Sequence, residues 1–494
     1  MSVQPNAGHA RVAIIGTGFS GLGAALALQR AGIDFVLFER RGDLGGTWLD
    51  NSYPGCTCDV PSHLYSFSFA LNPDWTHTYS SQADIWAYLK ELARRYEILP
   101  HIRFNHELLG AAWDEDARRW RIETSQGAWT ADVLITACGA LSEPAIPSLP
   151  GLENFTGTMF HSAQWNHGHQ LSGERVAVIG TGASAIQFVP KIQPIVKRLH
   201  LFQRTPAWIL SHPNRRITDF ERAVYRHIPL LQRAVRAGVY WSRELLIGTA
   251  LTRHVRLTRL IARAAGKHLA RQVQDENLRR KLTPSYLPGC KRILISNDFY
   301  PAISESNAEL VTEQIREVRA HSIVTEDGRE REIDAIIFGT GFRVTSNPFA
   351  LRVQGRDGKT LATAWSESGG QAYRGTTVPG FPNLFLMTGP NTGIGHTSLL
   401  VMIEAQLGYI VACLRHMQKR RLASFELQRE PYEAFNREIR RKMQHTVWLR
   451  GGCASWYLDS HGRNTTLWPD FTWKYRRLMR RFDAENYEFS PVAA

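Results

Sequence analysis

The chain is poor in cysteine. Its 494 residues carry six, at Cys56, Cys58, Cys138, Cys290, Cys413 and Cys453. That density excludes a small disulfide-stapled scaffold, and no set has zinc-ligand spacing. Reduced thiols and no metal are therefore expected. Long apolar runs are missing too. No stretch approaches the roughly 18 uninterrupted apolar residues that span a bilayer. The polar start, Met1 to Ala10, lacks the apolar core of a secretory signal. A cytoplasmic setting is the expectation. Nothing reads as disordered or fibrous: 43% of residues are hydrophobic and 10% aromatic, which suits a sizeable core, and the length suggests two or three domains.

Acidic residues are scarce in one place. Between Arg215 and Lys281 stand 16 Lys or Arg against 5 Asp or Glu, so most of the net charge of +14 sits there. The segment is rich in Arg and Leu and reads as several amphipathic helices. No recognised nucleic-acid module or aromatic platform accompanies the charge, so no nucleic-acid partner is expected. The plain reading is a solvated helical face lining the approach to a site. Weak peripheral contact with an anionic membrane is the alternative.

What the chain does contain is a repeated unit. Arg11 to Gly16 (RVAIIG) is a short apolar run closed by glycine, read as a buried parallel strand. A helical stretch from Gly18 to Ala31 and a second strand, Phe35 to Arg40, complete a β-α-β unit. The grammar returns at Arg175 to Gly180 (RVAVIG), with a helix through Val189 and a strand from Arg198 to Gln203. Two such units suggest two bound nucleotides.

The loops between strand and helix carry the chemistry. In the first, Gly16 permits a tight turn, Gly18 leaves the backbone open to a pyrophosphate, and Gly21 lets the helix sit close to the strand. The helix N-terminus offers free N–H groups and a favourable dipole. Glu39, at the end of the second strand, suits two ribose hydroxyls. The second loop has Gly180, Gly182 and Ala185, but Arg204 and Thr205 stand where the acid would be. A carboxylate would repel a 2′-phosphate, whereas a guanidinium pairs with it, so this unit should prefer NADPH over NADH.

Two further segments resemble a known family. Phe155, Gly157, His161 and Trp165 fit the Phe-x-Gly-x3-His-x3-Trp fingerprint of class B flavoprotein monooxygenases. The tryptophan form is similar to the Baeyer–Villiger branch; related flavin-containing monooxygenases carry Tyr or Phe there. Gly45-Gly46-Thr47-Trp48, then Tyr53-Pro54-Gly55 and Asp59, resembles a second signature of that branch. With Phe338 to Phe342 and the two glycine sets, the resemblance covers roughly residues 11 to 475. Asn166 stands where the family usually has Pro or Asp. The stretch Leu49 to Ser52 and the motif Arg463 to Pro469 also depart from the pattern.

The resemblance implies an α/β fold of two Rossmann-like dinucleotide-binding domains, the NADP domain inserted in the FAD domain and carrying a helical insert. The expected boundaries are 1–150 and 330–494 for the FAD domain, 151–329 for the NADP domain and 215–285 for the insert. The FAD set is Gly16, Gly18, Gly21, Glu39, Gly46, Thr47, Trp48, Asp59 and Tyr65. The NADP set is Gly180, Gly182, Ala185, Arg204, Thr205, Lys291 and Trp456. By the same resemblance Arg292 keeps a C4a-peroxyflavin ionised for attack on a ketone, Asp59 orients it, and Lys291 meets the 2′-phosphate. Phe155, Gly157, His161 and Trp165 couple the domains, with His161 read as a linker residue in preference to a proton donor. The implied reaction uses FAD, NADPH and O2 to turn a ketone into an ester or lactone. N- or S-oxygenation, with sulfide as the acceptor, is the nearest rival; a nucleotide-binding membrane-associated protein is a remote one. A disulfide reductase is disfavoured because Cys56 and Cys58 are one residue apart, not two.

Overall fold

The computed structural model describes residues 8–346 and 348–492. Among these, two sheets dominate. The larger runs in the order Val353–Gln354, Leu108–Asp114, Arg119–Thr124, Gly127–Thr136, Gly8–Ile15, Phe35–Phe38 and Ile102–Arg103, and Leu384–Leu386 also pairs with Gly127–Thr136. The strand Gly8–Ile15 pairs in parallel on both sides. Val12, Ala13 and Ile14 have no exposed surface, which explains an apolar run without alternation: both faces of a parallel sheet are covered.

The second sheet is all parallel, in the order Ala308–Val311, Arg198–Phe202, Arg175–Ile179, Ala335–Phe338 and Thr158–His161. Ala335–Phe338 therefore belongs with the second unit. That strand, which lies after the boundary expected at residue 330, fills the slot between Arg175–Ile179 and Thr158–His161. Returning chain joins the first sheet at Val353–Gln354 and Leu384–Leu386.

The basic segment is helical as expected, with Asp219–His227, Pro229–Arg243, Thr258–Gln272 and Glu276–Lys281 as its longer pieces. Leu399–Arg420 is the one helix among the described residues long and apolar enough to cross a membrane by length and composition. Leu400, Met402, Ile403, Leu407, Ile410 and Leu414 on it are buried. A Cβ on Gly23 of helix Phe19–Ala31 would come within 3.0 Å of Leu407, so the two helices pack closely and this apolar surface is core.

The expectation of reduced thiols fails at one pair. Cys290 and Cys453, 163 residues apart, form a disulfide. Gly451 makes the approach possible, since a Cβ there would stand 2.5 Å from the Cys290 Cβ. No sequence spacing announces such a pair. Cys56, Cys58, Cys138 and Cys413 are free. Burial pushes the Cys56 thiol up to about 12.

Candidate active site

The first cradle is built from bare backbone. Gly16 has φ +103°, a region open to glycine alone at low cost. A Cβ on Gly21 would fall inside the Gly16 carbonyl oxygen, so only glycine lets the helix Phe19–Ala31 meet the strand this closely. Gly18, at the head of that helix, supplies no side-chain cap; the first-turn N–H groups are left for a ligand anion. Facing Gly18 is Gly46, whose added Cβ would lie 3.0 Å from the Gly18 Cα. Glu39 is buried. Its Oε2 accepts from Thr17 N at 3.1 Å and Thr17 Oγ1 at 2.5 Å, and its Oε1 accepts from Arg41 N at 2.9 Å. One acceptor position on Oε1 stays open for a hydroxyl. Thr47 and Trp48 open the short helix Thr47–Asp50 behind Gly46. Trp48 donates from Nε1 to the Tyr65 hydroxyl at 3.0 Å, and burial raises the Tyr65 pKa.

The second cradle repeats the plan. Gly180 has φ +106°, and a Cβ there would stand 2.5 Å from the Gly339 carbonyl oxygen. Ala185, fully buried, starts the helix Ala185–Ile192, which has no side-chain cap. A Cβ added to Gly339 would lie 3.2 Å from the Ala185 Cβ, so glycine at 339 leaves the room that this alanine uses. Gly182 is open by comparison. Arg204 is exposed at the end of strand Arg198–Phe202, and the Thr205 carbonyl accepts from Thr181 Oγ1 at 3.4 Å. Lys291 has its pKa lowered, first by burial and then by the charge of Arg204. The two cations feel each other, and among the described residues neither forms an ion pair with an acid, an arrangement that suits a phosphate.

Where the cradles meet lies an ion pair. Arg292 grips Asp59 with two parallel bonds, Nε to Oδ2 at 2.5 Å and Nη2 to Oδ1 at 2.6 Å. The Asp59 charge lifts the Arg292 pKa further above its ordinary value, against burial. Burial alone would raise the Asp59 carboxyl, but the guanidinium wins and holds it below the usual range. The arginine side chain is 34% exposed. Tyr65 feels both charges, so the pair borders the first cradle, while neighbouring Lys291 belongs to the second.

The linker residues are structural in their contacts. Gly157 has room for no side chain beside the Asp334 carbonyl and the Phe155 ring. His161 is 1% exposed and accepts from Ala163 N at 3.1 Å through Nδ1, while Nε2 is buried without a partner. Burial lowers its pKa. Trp165 packs edge-on to Phe160 and against Phe188 of the second helix, with ring centroids 5.1 Å and 5.3 Å apart. Asn166 accepts from Gly168 N at 3.1 Å, a local turn bond. Trp456 is 44% exposed and leans on Tyr457, 4.4 Å between centroids. The motif Arg463 to Pro469 folds against the loop after Leu384–Leu386, where Asn391 Nδ2 donates to the carbonyls of Asn464 and Leu467, both at 3.0 Å.

Three participants gave no readable signal in sequence. Gln187, on the second helix, accepts from the Tyr53 hydroxyl at 3.0 Å and donates to the Thr57 carbonyl at 3.0 Å; it ties the Asp59-bearing segment to the second unit. Tyr457, 1% exposed, lies in hydrogen-bonding reach of Arg292. The disulfide anchors the residue just before Lys291 to the loop that carries Tyr457.

Known proteins match this arrangement. The model of the flavin-binding monooxygenase-like family matches residues 9–352. A Baeyer–Villiger monooxygenase of Pseudomonas aeruginosa is 50% identical, covering 100% of this chain and 95% of its own. One from Streptomyces coelicolor is 50% identical over 97% and 92%. The structure of cyclohexanone monooxygenase from Rhodococcus sp. Phi1 bound to NADP+ superposes with a TM-score of 0.87 at 28% identity, covering 99% of this chain and 100% of that one.

Proposed function

Because the chain belongs to the flavin-binding monooxygenase-like family, we propose that it is an FAD- and NADPH-dependent Baeyer–Villiger monooxygenase. It inserts one atom of O2 next to a ketone carbonyl and releases an ester or lactone. Bound FAD and NADPH supply the two electrons that send the other oxygen atom to water.

The residues fit both nucleotides. Gly16, Gly18 and Gly21 give FAD pyrophosphate a bare backbone and an uncapped helix end. Glu39 keeps an acceptor for its ribose; Gly46, Thr47, Trp48 and Tyr65 line the far side. Gly180, Gly182 and Ala185 do the same for NADPH, with Arg204, Thr205 and Lys291 at its 2′-phosphate and Trp456 at its open edge. The FAD domain takes 1–150 and the chain beyond Phe338; the NADP domain lies between, with its helical insert. Phe155, Gly157, His161 and Trp165 hold the two together. The acceptor is a ketone. A cytoplasmic setting goes with this reading, although the Cys290–Cys453 disulfide suits a less reducing one.

The observation that carries the proposal is the Arg292–Asp59 pair at the junction of the cradles. Asp59 fixes the plane of the guanidinium and keeps it charged. The guanidinium is a permanent positive donor for negative charge on oxygen. Tyr457 closes one side against water.

A ketone panel with NADPH, following cofactor loss and ester together, tests this. Arg292→Ala should still consume NADPH but release hydrogen peroxide, with ester per NADPH down about 100-fold. Ester formation at the parent coupling would remove Arg292 from the reaction. Protein that stays colourless after reconstitution with FAD would remove the whole reading.

A further inference from the structure

The inward face of the helix Pro229–Arg243 is mixed: Val235, Val239 and Tyr240 pack on the core, and two polar side chains lie among them. Gln232, 2% exposed, donates to the Asn72 carbonyl at 2.5 Å. Arg236 donates from Nη1 to the carbonyls of His63 at 3.0 Å and Ser66 at 2.9 Å. The helix runs on through the π turn Glu244–Gly248, where buried Glu244 accepts from Thr472 N at 2.8 Å. Its outward face and the turn after it carry large apolar side chains. Leu230 is 71% exposed, Trp241 46%, Leu245 59% and Leu246 72%. Positions 230, 234, 237, 241 and 245 share one stripe of a 3.6-residue helix, and Leu230, Ala234, Ala237, Trp241 and Leu245 are all exposed.

A helix on a water-facing surface is polar on its outer side, so this stripe calls for an occupant. Charge identifies it. Arg233 borders the stripe, and Arg256, Arg259 and Arg263 follow in the chain; all four are exposed and form no ion pair among the described residues. The stripe thus sits in the segment with 16 basic against 5 acidic residues. A second copy of the chain would bring the same positive charge to a two-fold contact, which repels. A bilayer with anionic headgroups satisfies both features: leucine and tryptophan enter the interface while arginines reach phosphate. We propose that the face from Leu230 to Leu246 docks the enzyme peripherally on an anionic lipid surface. The proposal does not depend on which substrate the active site oxidises.

The test uses the FAD-loaded full chain and sedimenting vesicles of phosphatidylcholine, with and without phosphatidylglycerol, at physiological salt. Binding to the phosphatidylglycerol vesicles should be at least about tenfold tighter than to phosphatidylcholine alone. The double variant Trp241→Ser, Leu245→Ser should lose about tenfold of that binding with flavin content and NADPH oxidation unchanged. Arg256→Glu with Arg259→Glu should erase the lipid preference. No sedimentation with either vesicle, or equal binding by the Trp241→Ser, Leu245→Ser protein, overturns the proposal. So does a parent dimer in analytical ultracentrifugation that the same variant converts to monomer, since the stripe would then be an interface between copies.

Discussion

Replacing Arg204 by alanine should change which nicotinamide nucleotide the enzyme accepts. The reasoning starts from Lys291, whose pKa is depressed by burial and by the nearby Arg204 charge. Two cations without an acidic partner among the described residues are costly to keep together, and a 2′-phosphate relieves that cost. A charge-assisted hydrogen bond to phosphate contributes about 1.5–3 kcal/mol, or roughly 10- to 100-fold in affinity. Lys291 remains in the variant, so binding weakens without vanishing. NADH has no phosphate there, and its kcat/KM should move by less than about threefold. The preference for NADPH over NADH should therefore fall about 10- to 100-fold in steady-state assays with both cofactors. The alkaline limb carries a second signature. A lysine with a lowered pKa loses its charge, and its hold on phosphate, earlier as pH rises. Removing Arg204 removes one cause of that lowering, so the rise in KM for NADPH should shift to higher pH. Equal loss with NADPH and NADH would refute the assignment, because nothing but the 2′-phosphate distinguishes them at this position.

Two other perturbations test the framework around the site. Gly21→Ala places a Cβ inside the Gly16 carbonyl oxygen; the helix must shift, at a cost of about 1–3 kcal/mol or more, and the protein should purify without yellow colour, so full flavin content would contradict the close-packing argument. Cys290→Ser with Cys453→Ser opens a loop of sequence separation 163, which should lower stability by about 2–5 kcal/mol, seen as a lower Tm, and should reduce ester per NADPH because the bridge anchors the residue before Lys291 and Arg292; an unchanged Tm together with unchanged coupling would show that the bridge supports neither.

Much of the fold was legible because parallel strands announce themselves. RVAIIG and RVAVIG are apolar without alternation, and each ends in a glycine whose positive φ the turn needs. The run Ala335 to Phe338 is apolar without alternation in the same way, yet nothing in it names its sheet. Four apolar residues say that a strand is buried on both faces; they do not say between which neighbours. Pairing with Arg175–Ile179 and Thr158–His161 is a long-range fact. The same limit hid Gln187 and the Cys290–Cys453 bridge, whose partners lie 130 and 163 residues away.

Charge was legible in amount and illegible in direction. Basic composition alone leaves Lys291 and Arg292 as two more surface cations; the resemblance implied that Asp59 orients Arg292, and across 233 residues both carboxylate oxygens of Asp59 bond that guanidinium. The basic helices pose the same problem in reverse. A period of 3.6 gives an apolar stripe whether the helix faces the core or the outside. In Pro229–Arg243 the carbonyls of His63, Ser66 and Asn72 draw Gln232 and Arg236 inward beside Val235, Val239 and Tyr240, and Leu230 and Trp241 lie on the outer side. Backbone acceptors from a distant segment thus turn an ordinary amphipathic pattern into an exposed apolar face, and no property of the helix sequence by itself could have shown that.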